Sequence, residues 1–329
     1  MKKLLNHLDN ALAESLDGFA AAHSDIVALG EERQFVRRLH MKPGKVALIS
    51  GGGSGHEPLH AGFVGRGMLD AACPGQIFTS PTPNQMLAAA QSVESGAGVL
   101  FIVKNYSGDM MNFQMAAEML DRENASVIVN DDVAVENSTY TTGRRGVAGT
   151  LIVEKIVGAA AEQGADLAAC KALGDAVNKA TASMGVALTS CTVPAAGKPT
   201  FQIGNDEMEM GVGIHGEPGR RRVKLASADE IAAELTGAVL KDLSLKPGTP
   251  AILLVNGFGG TPAMELYLMV NAARRILDAA GVKVVRHLTG SYVTSLEMAG
   301  CSITVTATDE RHLALWDAPV HTAALRWGV

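Results

Sequence analysis

The stretch KVALISGGGSGHEP, residues 45–58, joins a short apolar run to a segment rich in glycine. A continuous apolar run such as KVALIS is typical of a strand that is buried on both faces. Glycine is usually kept where the chain bends sharply or where another group approaches closely. We therefore expect a buried strand over 45–50 that enters a loop at Gly51.

The same alternation continues along the first half of the chain. Strands are predicted over 98–104 (GVLFIVK) and 126–130, and helices over 57–66, 83–93 and 110–122. Proline in the first turn of the helix at 83 is a normal starting signal. The helix over 110–122 carries methionines at helical spacing, which we interpret as core-facing: Met110, Met111, Met115 and Met119. Apolar strands that alternate with helices indicate an α/β architecture with largely parallel sheet.

A second α/β unit follows. Helices are predicted over 146–163 and 167–182, strands over 185–191 and 251–256, and a long helix from Thr261-Pro262 to a stop at Gly281. Ser227-Ala228-Asp229-Glu230 is a capping-box pattern that opens one more helix. We expect two α/β subdomains with largely parallel or mixed sheets, over residues 1–185 and 186–329, which together form one domain.

Composition excludes several classes of protein. With 329 residues, 47% hydrophobic and 19% charged, the chain is globular, and its net charge of −6 leaves no basic excess for nucleic acid. No apolar run reaches the length of about 18 residues that a membrane span needs, and the start reads as an amphipathic helix rather than a signal peptide. Cysteines without CxxC pairing argue against a disulfide framework or a metal site and fit a reducing compartment. We expect a cytoplasmic protein.

The first candidate site loop is GGGSGHEP, residues 51–58. It lacks the GxxxxGK[ST] and GxGxxG spacings, so it does not predict a nucleotide site. Its run of backbone N–H groups, with His56 at the entrance of the expected helix, could hold an oxygen-rich ligand. The alternative is that His56 only caps that helix.

The second candidate loop is KNYSGD, residues 104–109, which leaves the strand over 98–104. Ligands of open α/β sheets lie outside the carboxyl ends of the strands, and both loops are expected there. Asp109 has two interpretations: a first-turn acid that satisfies free helix N–H groups, or a functional carboxylate that points into the crevice near His56.

The third candidate loop is GVGIHGEPG, residues 211–219, in which four glycines frame His215. It is either a tight loop with a packed histidine or an imidazole kept bare for a small molecule. A neutral imidazole can add reversibly to a ketone to give a hemiaminal when the carbonyl reaches it unobstructed. The three loops together suit a small polyhydroxylated carbonyl compound, bound between glycine-rich loops.

Eight motifs, in this order and spacing, resemble the K subunit of dihydroxyacetone kinase: SGGGSGHEPLHAGFVGRGML, CPGQIFTSPTP, VKNYSGDMMNF, DDVAV, GRRGVAGT, TVPAAGKP, GVGIHGEPG and LWDAPVHT. The resemblance covers nearly the whole chain. It implies that His215 binds the ketone as a hemiaminal, and that Asp109 and His56 act on the bound substrate as catalytic groups. It also implies substrate contacts by Ser54 and Gly55 and, through backbone groups, by Gly53 and Lys104.

The resemblance further implies the partners. This chain is expected to bind no cofactor or metal itself, while ADP or ATP with magnesium is held on a separate DhaL-type subunit. A phosphotransferase-system protein of the DhaM type would then rephosphorylate the nucleotide indirectly. The resemblance also implies a homodimer and a role in glycerol metabolism. A non-catalytic coregulator that senses dihydroxyacetone is the alternative.

Two further features are interpreted from the residues. Arg220-Arg221-Arg222 with Lys224 is either a solvated face or a patch that attracts an anionic partner. Trp316 and Trp327 are expected to dock the C-terminal tail.

Overall fold

The computed structural model describes residues 2–135 and 143–329. The helices are α1 Ala11–Ala22, α2 Pro83–Val93, α3 Ser107–Met119, α4 Gly149–Glu162, α5 Leu167–Lys179, α6 Ala228–Leu243, α7 Ala263–Ala279 and α8 Glu310–Asp317. The strands are β1 Val27–Leu29, β2 Val36–Arg38, β3 Ala47–Ser54, β4 Gly65–Arg66, β5 Ala71–Ile77, β6 Val99–Lys104, β7 Asn124–Val129, β8 Thr181–Ala187, β9 Glu207–Met210, β10 Arg221–Lys224, β11 Pro250–Gly257, β12 Lys283–Gly290, β13 Gly300–Ala307, β14 Val320–Thr322 and β15 Arg326–Trp327.

The chain forms two compact units, and each is discontinuous in sequence. Unit 1 comprises residues 1–129, 152–176 and 311–329, and unit 2 comprises 130–151 and 177–310. A single boundary between 185 and 186 differs from this division, because the chain passes between the units more than once. Three of the four divisions fall within the helices α4, α5 and α8, and the fourth follows β7, so no linker of distinct composition marks them.

Unit 1 is built on a six-stranded sheet in the order β1-β2-β5-β3-β6-β7. β3 lies between β5 and β6 and is parallel to both, and β6 is parallel to β7. Buried residues of the central strands, such as Ile49 and Phe101, pack with Met86 of α2 and Phe113 of α3 in one core. The predicted α/β architecture is confirmed, and the parallel strands β3 and β6 deliver the two loops that follow them to the same edge of the sheet.

Unit 2 is built on a mixed six-stranded sheet in the order β10-β9-β8-β13-β11-β12. Only β11 and β12 are parallel within it, and the remaining neighbours are antiparallel. α6 and α7 supply Leu235, Val239 and Leu266 to the core of this unit. The predicted capping box at Ser227 and Glu230 is present at the start of α6.

Two predictions along the first half are wrong. β3 runs through Gly51–Gly53 to Ser54, so these glycines belong to the strand. Residues 57–66 do not form an α-helix but turns, a short 3-10 helix over Ala61–Phe63 and the strand β4. Gly65 adopts a φ of +152°, and a Cβ there would lie 2.2 Å from the carbonyl oxygen of His321. The pairing of β4 with the C-terminal strand β14 therefore replaces the expected helix.

Of the four methionines predicted to face the core from α3, only Met110 packs against it. Met111, Met115 and Met119 are 59%, 47% and 51% exposed, whereas Phe113 and Ala116 face the core. A helical period alone does not say which of two apolar stripes meets the sheet. In α3 the face that contains Phe113 and Ala116 packs against the sheet.

The C-terminal tail docks in unit 1 as predicted. Trp316 is buried, and the indole N–H of Trp327 donates to its carbonyl oxygen at 3.2 Å. β14 and β15 pair with each other, and β14 also pairs with β4. In the part of the chain that the structure describes, no helix combines the length and the apolar character needed to cross a bilayer.

Candidate functional site

The two candidate loops of unit 1 meet at the carboxyl edge of the parallel strands. β3 ends at Ser54 and leads through Gly55 to His56, while β6 ends at Lys104 and leads into α3. His56, Lys104 and Asp109 are all buried, with 0%, 0% and 2% of their surface exposed. The adjacent pairing of β3 with β6 therefore brings together the residues that the sequence placed on two separate loops.

The Lys104 ammonium group lies inside this cluster rather than in solvent. It donates to the carbonyl oxygen of Gly51 at 3.2 Å and contacts His60 Nε2 at 2.8 Å. Its third neighbour is Asp109 Oδ2 at 3.6 Å. A Cβ on Gly52 would lie 2.3 Å from the ammonium nitrogen. A side chain at position 52 would therefore displace the Lys104 ammonium group from this position.

Asp109 is not a helix cap. It lies in the first turn of α3, whose N-cap Tyr106 forms no side-chain cap hydrogen bond. Asp109 Oδ1 is buried and has no hydrogen-bond partner among the described residues. A buried carboxylate oxygen without a partner is costly unless something else binds it. Of the two interpretations of Asp109, the functional carboxylate is the one this geometry favours.

His56 does not cap a helix either, because the helix expected after it is absent. Its ring stacks on Phe78 with centroids 5.2 Å apart and an interplanar angle of 24°. The N–H group of Gly55, expected to be available to a ligand, donates to the carboxylate of Glu57 at 2.9 Å. The Ser54 hydroxyl donates to the carbonyl oxygen of Gly75 at 2.7 Å. Ser54 thus fastens β3 to β5.

A buried histidine and a buried acid complete the cluster, and sequence reasoning did not assign them. His60 Nδ1 lies 2.7 Å from Glu154 Oε1, and both side chains are at most 3% exposed. Burial and the charge of Lys104 hold the pKa of His60 well below its usual range. Burial raises the pKa of Glu154 to about 8, although Lys104 and the Ser50 hydroxyl oppose the shift. The available signal was a Glu-Lys pair in the otherwise apolar helix sequence TLIVEKIV, residues 150–157.

His215 lies in unit 2, in the loop between β9 and β10, and it is half-buried. Its backbone N–H donates to Glu217 Oε2 at 2.9 Å. The other oxygen of Glu217 accepts from Arg145 Nη1 at 2.8 Å. Arg145 also donates through Nε to Asp132 Oδ2 and through Nη2 to the carbonyl oxygen of Gly211, both at 2.8 Å. The Arg145 guanidinium group thereby connects Gly211 and Glu217 of this loop to Asp132.

This arrangement explains two glycines of GVGIHGEPG. A Cβ on Gly213 would lie 2.1 Å from Glu217 Oε1 and 2.7 Å from Arg145 Nη1. Gly216 has a φ of +72°, and a Cβ there would lie 2.7 Å from Cys191 Sγ. Both glycines make room for protein neighbours of the loop. Arg145, Glu217 and Asp132 lie in the motifs GRRGVAGT, GIHGEPG and DDVAV, to which the sequence assigned no such role.

The basic run after this loop is largely paired within unit 2. Arg222 donates to Glu209 at 2.7 Å and to the carbonyl oxygen of Gln202 at 2.6 Å. Arg221 pairs with Glu234 of α6. These local partners favour the solvated face over the patch that attracts an anionic partner.

Comparison with known proteins shows the family. Residues 17–324 match the Dak1 domain, so the chain belongs to the Dak1 domain family. It is 49% identical over 328 residues to the dihydroxyacetone-binding subunit DhaK of a PTS-dependent dihydroxyacetone kinase from Listeria innocua. That alignment covers 98% of this chain and 100% of the relative. The resemblance predicted from the eight motifs is confirmed.

Two solved structures share the fold. The dihydroxyacetone kinase of C. freundii, in complex with AMP-PNP and Mg²⁺, superposes with a TM-score of 0.89 at 32% identity, over 98% of this chain and 60% of that one. A dihydroxyacetone kinase operon co-activator, DhaQ, superposes with a TM-score of 0.90 at 33% identity, over 94% of this chain and 97% of that one. The fold is therefore shared by a kinase and by a co-activator.

Proposed function

We propose that this chain is the dihydroxyacetone-binding subunit of a dihydroxyacetone kinase, a phosphotransferase with an alcohol group as acceptor. It would bind the ketone covalently through His215 and present a hydroxyl group for phosphorylation to dihydroxyacetone phosphate. The observation that carries the catalytic part is Asp109, a buried carboxylate with an unpartnered oxygen beside the Lys104 ammonium group. Nearly full-length similarity to a DhaK subunit supports the choice of substrate.

The binding step is an addition with no leaving group. A ring nitrogen of neutral His215 forms a bond to the carbonyl carbon, the C=O π bond opens, and the oxygen becomes a hydroxyl. The proton it gains balances the one that the imidazole loses from its other nitrogen. Glycerol has no carbonyl group and cannot form this bond, so the adduct discriminates more strongly than the roughly 1–3 kcal/mol available from one altered apolar contact.

The transfer step depends on position more than on a strong base. In this proposal Asp109 accepts the proton of the substrate hydroxyl as that oxygen attacks the terminal phosphorus, and His56 hydrogen-bonds to the same bound triose. The phosphoryl group leaves the nucleotide and forms the new P–O bond. Phosphoryl transfer has a loose transition state, so an ordinary carboxylate suffices. Anchoring the acceptor can supply about 7–11 kcal/mol of the barrier reduction.

The phosphoryl donor would be a nucleotide held with magnesium on a separate subunit. The absence of a nucleotide motif from GGGSGHEP supports this arrangement, and the name of the Listeria relative favours a donor recharged by the phosphotransferase system. In that case bound ADP is rephosphorylated in place, and a DhaM-type protein supplies the phosphoryl group. A donor subunit that exchanges free ATP is the alternative.

The adduct is tested by intact-protein mass spectrometry without a reducing agent. The wild-type chain incubated with dihydroxyacetone should gain the mass of one complete triose with no loss of water, and His215→Ala should gain nothing. An adduct on His215→Ala would overturn the assignment of the nucleophile. His321→Ala is a control, because His321 belongs to β14 and has no role in the proposal.

Catalysis is tested separately with Asp109→Asn. This variant should keep the triose adduct and lose turnover with a donor subunit, because only the proton acceptor is removed. Turnover at the wild-type rate would exclude Asp109 as that acceptor.

The similarity to the co-activator favours one second candidate, a non-catalytic sensor of dihydroxyacetone. Such a protein would form the adduct but transfer no phosphoryl group with any donor subunit. Turnover with a cognate donor subunit separates the two functions.

A further inference from the structure

We propose that His60 and Glu154 are positioning residues for the reaction: they hold the Lys104 ammonium group beside Asp109 and so fix the carboxylate that accepts the substrate proton. The inference rests on the proposed role of Asp109. It assigns work to two residues that neither the motifs nor the similarity to known proteins singled out.

The direction of each hydrogen bond follows from chemistry. The Lys104 ammonium group can only donate, so His60 Nε2 at 2.8 Å must accept. The proton of the neutral imidazole then lies on Nδ1, which faces Glu154 Oε1 at 2.7 Å and must donate to it. The depressed pKa of His60 agrees with a neutral ring. Glu154 thus determines which tautomer of His60 is present.

The tautomer matters because it decides whether Lys104 can stay in place. If His60 carried its proton on Nε2, two donors would face each other across 2.8 Å, and the ammonium group would have to move. Its other two contacts are the Gly51 carbonyl oxygen in β3 and Asp109 Oδ2 in the first turn of α3. Displacement of Lys104 would therefore disturb both the glycine strand and the catalytic carboxylate.

Because Glu154 is buried, its contact with His60 is not explained by stabilisation of the fold alone. Glu154 lies in α4 among fully buried apolar residues, among them Val153 and Val157, and its Oε2 has no hydrogen-bond partner among the described residues. Replacing a whole buried ion pair by well-packed apolar residues often leaves stability unchanged or raises it, so stability alone does not account for a buried acid here. A role in positioning Lys104 beside Asp109 explains why an acid occupies this buried position.

The first test asks whether the hydrogen-bond acceptor at position 154 sets the tautomer of His60. Glu154→Leu removes the acceptor, whereas Glu154→Gln keeps an oxygen that can accept from His60 Nδ1. Nitrogen-15 NMR of the labelled full chain, with the His60 signals assigned through His60→Asn, should show the Nδ1–H tautomer in the wild type and in Glu154→Gln. Glu154→Leu should shift His60 to the Nε2–H tautomer. An Nδ1–H tautomer retained in Glu154→Leu overturns the proposal.

The second test is kinetic and uses the full chain with its donor subunit. Loss of an outer-shell partner of a metal ligand typically costs about 10- to 100-fold in activity, and we expect the loss of Glu154, the partner of His60, to lower kcat by a similar factor. The triose adduct should form as in the wild type, and Glu154→Gln should restore most of kcat. An unchanged kcat in Glu154→Leu refutes the positioning role.

A matched control is the neighbouring residue of the same helix. Lys155 is also buried and charged, but its ammonium group donates to the carbonyl oxygen of Leu315 at 2.8 Å. Lys155→Met should alter α4 to a similar degree and leave the His60 tautomer and kcat unchanged. The outcome also separates this inference from the proposed function. Full turnover in Asp109→Asn removes both, whereas an inactive Asp109→Asn with a fully active Glu154→Leu removes the inference alone.

Discussion

Glu217 offers a direct test of how the His215 loop is held. In Glu217→Ala the loop loses two contacts: the hydrogen bond from the His215 backbone N–H at 2.9 Å and the ion pair with Arg145 at 2.8 Å. Arg145 retains its ion pair with Asp132, so its buried charge is not left unpaired. We therefore expect the loop to lose order while unit 2 remains folded.

The size of the effect follows from these contacts. A hydrogen bond to a charged group contributes about 1.5–3 kcal/mol. The Glu217 side chain is 12% exposed, so water can partly replace what is lost. We expect about 2 kcal/mol of loop order to be lost, which corresponds to about a 30-fold weaker adduct of dihydroxyacetone on His215.

The assay is the fraction of chain that carries the triose, measured by intact mass spectrometry over a range of dihydroxyacetone concentrations. Glu234→Ala is the control, because it removes a partly exposed ion pair with Arg221 elsewhere in unit 2. Exposed pairs of this kind contribute about 0–1 kcal/mol, so its adduct should match the wild type. A folded Glu217→Ala with wild-type affinity would refute the reasoning.

Two further predictions use the same measurements. Gly213→Ala should abolish most of the adduct, because its Cβ would overlap Glu217 and the Arg145 guanidinium group. The control Gly237→Ala has nothing within 4 Å of the new Cβ and should stabilise α6 by about 0.5–1 kcal/mol in thermal unfolding. A normal adduct in Gly213→Ala would contradict the packing argument. Burial raises the pKa of Glu154 from its ordinary 4.5 to about 8, so the folded state binds the extra proton between these values and this group costs stability as pH rises through that range. Glu154→Leu should therefore gain stability over the wild type from about pH 5 to about pH 8 in urea unfolding, and a difference independent of pH would count against a buried, protonated acid.

The sequence was sufficient for the parallel strands β3, β6 and β7 of unit 1 and for several helices, but β1, β2 and β5 of the same sheet were not predicted. α2 begins and ends where the proline and the apolar spacing predicted, and the capping box of α6 is present. His56 and Asp109 were predicted to follow two strands, and those strands, β3 and β6, are parallel neighbours. These features depend on residues close together in the chain, whose spacing reflects the period of a helix or a strand.

The contacts that orient the candidate site residues could not be predicted from the sequence. His60 and Glu154 are separated by 94 residues, and Arg145 and Glu217 by 72. Whether such residues meet depends on strand order, register and the direction of each helix face. The same limit applies to α3, where Phe113 and Met110 pack against the core and the other three methionines are exposed.

By itself, the sequence determined the α/β class and the glycine-rich segments that contain the candidate site residues, because the spacing and the chemistry of side chains can be read from residues that are close together in the chain. Only the tertiary structure decided that Lys104 turns inward, that Glu154 reaches it through His60, and that Gly213 makes room for an arginine–glutamate pair. Burial is the reason: each of these groups takes its role from neighbours that folding brings from distant parts of the chain.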